Sequence, residues 1–433
     1  MRALHLSRFS SLRAFGHRDF VHVWSGALVS NIGTWMELLA LGVFVTTVTG
    51  RAEATGGIAA LTYLPAVVLS PVGGALADRF DRRAYVAVGT LVQALLAGIL
   101  TVLAFTGRLT VPAVAVISFL NGCANTLIGP AFSALISEVV PSEDLHSAFS
   151  LSSAQYNLGR IIGPMLAALV LAVGGPAWAL LCNTLSFLAV LVALWRVRSS
   201  GRDAAQVPEE LWPGIVRGAR VAWQDRGILL VMMGTLTLSA LVAPFIGLVP
   251  VYAIRVFHQG EVATSLLVTA QGVGAVSAAV MLGPLVEWLG RKRLMEWTVL
   301  LIGPVAALYW MAPTLHVAAL AIVALGALYM ATLTGFNTTC QLRVSRDLQA
   351  RISSIYGMML GVGYAGGVWL QGALADRVGV RFITVSCALL FLALVLTLRL
   401  LRPRAFDATE TPSALAPAGA PSPSVHLEGP GDF

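Results

Sequence analysis

The sequence predicts an all-α membrane protein of twelve transmembrane helices, arranged as two pseudo-symmetric six-helix bundles. Three observations predict it. Of 433 residues, 57% are hydrophobic and only 11% charged, which is far more apolar than a soluble domain. Twelve apolar stretches of roughly 20 residues, the length one membrane-spanning helix needs, follow one another along the chain. A basic loop in the first half returns, degenerate, in the second.

The stretches centre near Trp35, Val67, Leu95, Asn121, Arg160 and Phe187 in the first half. In the second they centre near Ser239, Gly274, Leu301, Leu328, Gly361 and Leu392. The boundaries that follow are a cytoplasmic N-terminal arm (1–20), a first bundle (21–197), a cytoplasmic linker (198–226), a second bundle (227–402) and a tail (403–433). The tail holds six prolines among many Ala and Ser, a composition that predicts disorder. No polar segment reaches the ~50 residues of a small domain, so a soluble catalytic unit and enzyme activity are not expected. The arm shows no cleavage site after a short apolar core and runs directly into a full span, so the first helix is expected to remain in place.

The net charge of +7 invites a nucleic-acid reading, but the positions of the cations point elsewhere. With both termini inside, 22 of the 28 Lys and Arg fall in cytoplasmic segments and five in outer loops (Arg51, Arg108, Arg255, Arg377 and Arg381). The basic balance therefore marks topology, and no nucleic-acid partner is expected because no aromatic-interleaved basic face exists. Cys123, Cys182, Cys340 and Cys387 all lie within spans without paired spacing, and the histidines are scattered, so neither disulfide nor metal is predicted. GVGYAG at 361–366 matches a dinucleotide fingerprint only in letters. It sits mid-span with no preceding strand, where close packing through small residues is the simpler reading. No GxxxxGK[ST] loop occurs, and no cofactor is expected.

The internal repeat organises the rest. GGALADRFDRR (73–83) follows the second span and GPLVEWLGRKR (283–293) follows the eighth, which aligns Gly74, Leu76, Asp78 and Arg82 with Gly283, Leu285, Glu287 and Arg291. Duplicated halves with a site between them near the midplane are the sequence mark of an alternating-access transporter.

GGALADRFDRRAY resembles the loop 2-3 signature of the major facilitator superfamily, through Gly74, Leu76, Asp78, Arg79, Arg82 and Arg83, with Asp81 where the general pattern has Gly. GRIIGPMLAA (159–168) resembles the antiporter motif of the fifth helix through Gly159, Gly163 and Pro164, with Ala167 and Ala168 where two glycines usually stand. Three longer stretches are similar to the branch holding macrolide and enterobactin exporters: FGHRDFVHVWSGALVSNIGTWM, GPAFSALISEVVPSEDLHSAFSLSSAQYNLGRIIGP and QLRVSRDLQARISSIYGMMLGVGYAGG. The resemblance spans roughly residues 15–400. It implies the major facilitator fold, and drug:proton antiport in a cell membrane with both termini cytoplasmic. It also implies a conformational latch at Asp78 and its loop, with Glu287 and Arg291 in the second copy. Physically, Asp78 at the end of a helix can accept from the exposed N–H groups of a neighbouring helix start. The plainer alternative is that the loop only sets topology.

Arg160 lies within an otherwise uncharged span, where a cation costs about 2.5–3.5 kcal/mol even on lenient insertion scales. Ser153, Asn157 and Arg160 form one stripe on the fifth helix; Ser30, Thr34 and Glu37 form another on the first. Counting in from the cytoplasmic ends at about 1.5 Å per residue puts Glu37 and Arg160 at similar depth, and the resemblance makes their helices neighbours. An ion pair between them is possible, either as a static tie or as a proton-coupling pair in which Glu37 changes charge state. The resemblance also implies a substrate cavity lined by the first, fourth, seventh and tenth helices. Its candidates are Trp35, Asn121, Asn125, Phe245, Tyr329, Phe336 and Asn337, flanked by Tyr156 and Tyr364. Aromatic walls with few polar groups suit neutral or amphiphilic molecules. The expected partners are a small-molecule substrate, protons and membrane lipid, with the chain a monomer. A same-fold importer and a non-transporting membrane sensor stand as alternatives.

Overall fold

The computed structural model describes residues 10–197, 220–344 and 346–409. The first nine residues, most of the expected 198–226 linker and the tail beyond 409 lie outside them. The described residues include fourteen α-helices, and no strand occurs among them. The first half holds α1 (Arg18–Thr49), α2 (Ala52–Tyr63), α3 (Pro65–Arg79), α4 (Arg82–Phe105), α5 (Val111–Glu138), α6 (Leu145–Gly174) and α7 (Pro176–Arg196). The second holds α8 (Arg226–Leu241), α9 (Val249–Val256), α10 (Glu261–Leu289), α11 (Arg291–Met311), α12 (Leu315–Leu342), α13 (Arg346–Val378) and α14 (Val380–Leu401).

Ten stretches are long and apolar enough to cross a membrane, the second being Ala52–Ser70 across the α2/α3 junction. The other two passes have identifiable reasons for weak signals. Pro244 and Pro250 interrupt the seventh, so it is built from α8, a 3₁₀ turn (Ala243–Phe245) and α9. The eleventh, α13, has 33 residues, but Ser, Gly, Tyr and Gln along it and charges at both ends dilute its hydropathy. Local chemistry sets the other boundaries. Gly50 adopts φ 60° and returns its N–H to Thr46 O, ending α1 in a left-handed cap that favours glycine. Pro65 has no N–H to continue α2 and opens α3 instead. Asp81 caps α4 through Ala84 N at 2.7 Å, and Asp225 caps α8 through Gly227 N and Ile228 N at 2.9 Å each.

The helices gather into two bundles. In the first, α1 packs on α6 and α7, while α4 packs on α5 and α7; in the second, α10 and α11 pack on α12, and α8 packs on α13. The bundles meet along α2 with α13 and along α6 with α10, the same pairing seen from either half. Outward-facing apolar side chains such as Val88, Leu95, Val173 and Leu400 are exposed in this chain and suit a lipid surface. The second bundle encloses one continuous core around Phe245, Tyr252, Tyr309, Trp310 and Tyr329, whereas the first is divided into smaller clusters.

Candidate functional site: a cavity between the bundles

The site is built first from missing side chains. A Cβ at Gly159 would stand 2.8 Å from Asn31 Cβ, and one at Gly163 would stand 2.6 Å from Trp35 Cβ and 2.8 Å from Ile32 O. Glycine at both positions is what lets α6 cross directly over α1. Pro164, one residue on, cannot donate to the Arg160 carbonyl four residues back, and Gly272 of α10 packs beside that carbonyl. The Pro164 carbonyl accepts from Ser265 Oγ of α10 at 2.5 Å, tying the two bundles together. The antiporter-like motif thus seats α6 against α1 on one side and α10 on the other.

Glu37 and Arg160 are both buried, at 7% and 8% exposure, but they do not meet. The Glu37 carboxylate accepts from Asn183 Nδ2 of α7 at 2.5 Å. The Arg160 guanidinium lies over the Trp35 ring, 5.3 Å from its centroid, and its Nε has no hydrogen-bond partner. Among the described residues Arg160 makes no ion pair. The pair expected from matched depth is therefore open in this structure, because depth along a helix does not fix the direction in which a side chain leaves it. Gly33, one turn before Glu37, packs against Asn183 and Ser186 and so turns the Glu37 face of α1 toward α7.

Glu37 opens onto a cavity of about 110 Å³ between the bundles. Thr34, Trp35, Asn121 and Tyr364 line it, as do Tyr63 and Gln271, which the sequence did not single out. Tyr63 and Tyr364 meet edge to face at 4.9 Å across the two bundles. Asn121 accepts from Gln93 at 3.1 Å, and both amide atoms of Gln271 are buried without partners. Asn125 and Tyr156 line a second, more open cleft of about 430 Å³ inside the first bundle, and Tyr156 reaches back to Trp35 at 6.0 Å. Phe245, Tyr329 and Phe336 lie in the core of the second bundle, Phe245 against Tyr329 at 5.5 Å; Asn337, half-buried, accepts from Gln341 at 3.4 Å.

In the loop after α3, Arg82 pairs with Glu138 at 2.7 Å and Arg83 donates to Trp195 O at 3.1 Å, while Arg79 is exposed. A Cβ on Gly74 would meet nothing within 4 Å. The Asp78 side chain lies outside what the structure describes. Glu287 and Arg291 of the second copy are exposed. No cluster of His, Cys, Asp and Glu able to hold a metal occurs among the described residues.

Two pseudo-symmetric helical bundles around a mostly apolar cavity define a multi-pass membrane carrier. The chain belongs to the transmembrane secretion effector family of the major facilitator superfamily, whose family model matches residues 9–428. It is similar to macrolide efflux protein A of Streptococcus pyogenes, 24% identical over 370 residues that cover 84% of this chain and 90% of that protein. It is likewise similar to the multidrug efflux pump Tap of Mycolicibacterium fortuitum, 25% identical over 85% of this chain and 92% of the pump. Among solved structures, a bacterial homologue of the human lysosomal transporter Spinster, inward-facing and occupied, superimposes with a TM-score of 0.71 at 13% identity, covering 94% of this chain and 99% of that one. A bacterial homologue of the iron transporter ferroportin, also inward-facing, gives 0.69 at 16%, covering 88% and 98%. These structural likenesses carry the fold.

Proposed function

We propose that the protein exports lipophilic or amphiphilic small molecules from the cytoplasm across the cell membrane, by alternating access coupled to proton entry, with both termini cytoplasmic. The observation that carries this reading is the single carboxyl group, Glu37, set in a cavity wall between two bundles that is otherwise uncharged, mostly apolar and aromatic with a few hydroxyl and amide groups. Such a wall suits an amphiphile, and a lone carboxyl is the group that can take up and release a proton there. Asn183 holds Glu37 through a neutral amide, and Arg160 stands free over Trp35. Closure of the Glu37–Arg160 gap in another state of the cycle would link proton release to movement of α1 against α6. The cavity is smaller than the ~300–1,000 Å³ typical of small-molecule sites, so the loaded state is wider than this one. The macrolide and multidrug efflux activities in the names of the two relatives support the same direction and substrate class.

Glu37→Gln tests the proposal. The amide can still accept from Asn183, so the protein should fold, bind and exchange substrate in proteoliposomes, yet lose efflux driven by an imposed pH gradient. Full gradient-driven efflux by this variant would remove Glu37 from the proton path. Drug accumulation in expressing cells, with and without an uncoupler, separates an exporter from an importer or a non-transporting protein.

A further inference from the structure

Residues 74–79 and 372–377 spell the same six letters, GALADR. The first copy ends α3 and the second ends α13. On the topology predicted from charge, these two helix ends lie on opposite faces of the membrane, the first inside and the second outside. The second copy is fully described. Asp376 Oδ1 and Oδ2 accept from Ala52 N and Glu53 N, the first N–H groups of α2, at 2.9 Å each. Arg255, near the end of α9, pairs with Asp376 at 2.6 Å and also donates to the Gly50 carbonyl that closes α1. Asp376 therefore joins the ends of four helices from both bundles. Close backbone approach permits this: a Cβ on Gly372 would stand 2.6 Å from Ala52 O, and one on Gly56 would collide with the Val368 carbonyl. Directly beneath lie Thr55, Ala59 and Pro250, which line the outer end of the cavity.

We propose that Asp376 and Arg255 form an outer latch of the transport cycle, a positioning pair that holds the cavity closed to the outside and must release before the cavity can open there. The carboxylate meets orphan N–H groups and the positive end of α2 only while α13 stays against α2, so the bonds stabilise the outer-closed state selectively. The latch rests on the alternating-access reading. The repeated hexapeptide makes it the outer counterpart of the loop at Asp78.

The test reads conformation without a substrate. In a chain with the four native cysteines replaced, Ile58→Cys places a reporter in the outer part of the cavity, probed in intact cells with a membrane-impermeant maleimide. Asp376→Asn should label roughly fivefold faster than its parent, the size expected from losing one of the two acceptors at the start of α2 and a partly exposed ion pair. Arg255→Gln, which leaves the cap in place, should give a smaller acceleration and serves if Asp376→Asn fails to fold. Unchanged labelling in both variants, each folded and monodisperse, overturns the latch. The swap Arg255→Asp with Asp376→Arg restores a pair but sets a cation against the α2 N-terminus, so the cavity should stay accessible. Recovery of the parent rate by the swap would overturn the capping role. Faster labelling in a protein that moves no drug would keep the latch and remove the efflux assignment instead.

Discussion

Two buried arginines in this molecule are equally hidden and oppositely treated. Arg343 of the second bundle is 7% exposed and Arg160 of the first is 8%. Arg343 forks onto Asp225, Nε to Oδ1 at 2.8 Å and Nη2 to Oδ2 at 3.0 Å, and the same Oδ1 caps α8. Arg160 has an aromatic face beneath it and an unpartnered Nε, while the carboxylate at its depth is held by an amide. A fully satisfied pair fixes two helix ends; a guanidinium and a carboxyl kept apart retain the freedom to combine. The contrast extends to the cores. The second bundle is built around one continuous core with several aromatic side chains, and the first, with its divided clusters and buried Glu37, Asn157, Arg160 and Asn183, holds the proposed coupling groups.

The contrast breaks most visibly at Arg343. Arg343→Ala leaves Asp225 buried opposite an empty site, a loss of about 3–5 kcal/mol in proteins generally. Yield of folded protein, read by size-exclusion chromatography after extraction, should collapse. Glu37→Gln at comparable burial should leave yield near wild type. Equal yields for Arg343→Ala and wild type would show that the second bundle does not depend on its pair.

Gly163 comes next. Gly163→Ala adds a methyl group against backbone Ile32 O, which a side-chain rotation cannot relieve, so α6 must move off α1 at a cost of about 1–3 kcal/mol. Gly366→Ala is the control, since its Cβ would meet nothing within 4 Å. Thermal unfolding in detergent should separate the two, with Gly163→Ala melting lower. Coincident transitions would mean that the α1–α6 crossing tolerates a wider gap.

How much of this was legible follows from what each signal measures. Hydropathy measures length in the bilayer, so ten spans stand out; prolines 244 and 250 and the polar middle of α13 weaken the other two. Stripe spacing measures periodicity along a helix; Glu37 and Arg160 are both buried, but spacing left their partners open. Gly33 and Asn183, a glycine and an amide in neighbouring apolar helices, were the available sign that Glu37 faces α7. Trp35, Asn121 and Tyr364 could be found as polar or aromatic residues within spans. Tyr63 and Gln271 required knowing which faces of α2 and α10 turn inward. The repeated hexapeptide was visible in the sequence, but only the fold shows that Asp376 of the second copy accepts from Ala52 and Glu53.

The smallest expected effect is at Trp35, and it sharpens the comparison most. If Arg160 is held by the ring alone, Trp35→Leu removes a cation–π contact of about 0.5–2 kcal/mol while keeping an apolar side chain against Gly163. Trp35→Phe, with a weaker ring, should fall between the two. The melting temperature should therefore drop in the order wild type, Trp35→Phe, Trp35→Leu. In Arg160→Gln, where no cation remains to be held, the same Trp35 substitutions should separate much less, and the double-mutant cycle measures that coupling directly. Arg343 supplies the reference, because its charge is matched by Asp225 and substitutions at Trp35 should not couple to it. A zero coupling energy between Trp35 and Arg160 would mean that another group satisfies the guanidinium, and the difference between the two buried arginines would then lie in which partner each has chosen rather than in whether it has one.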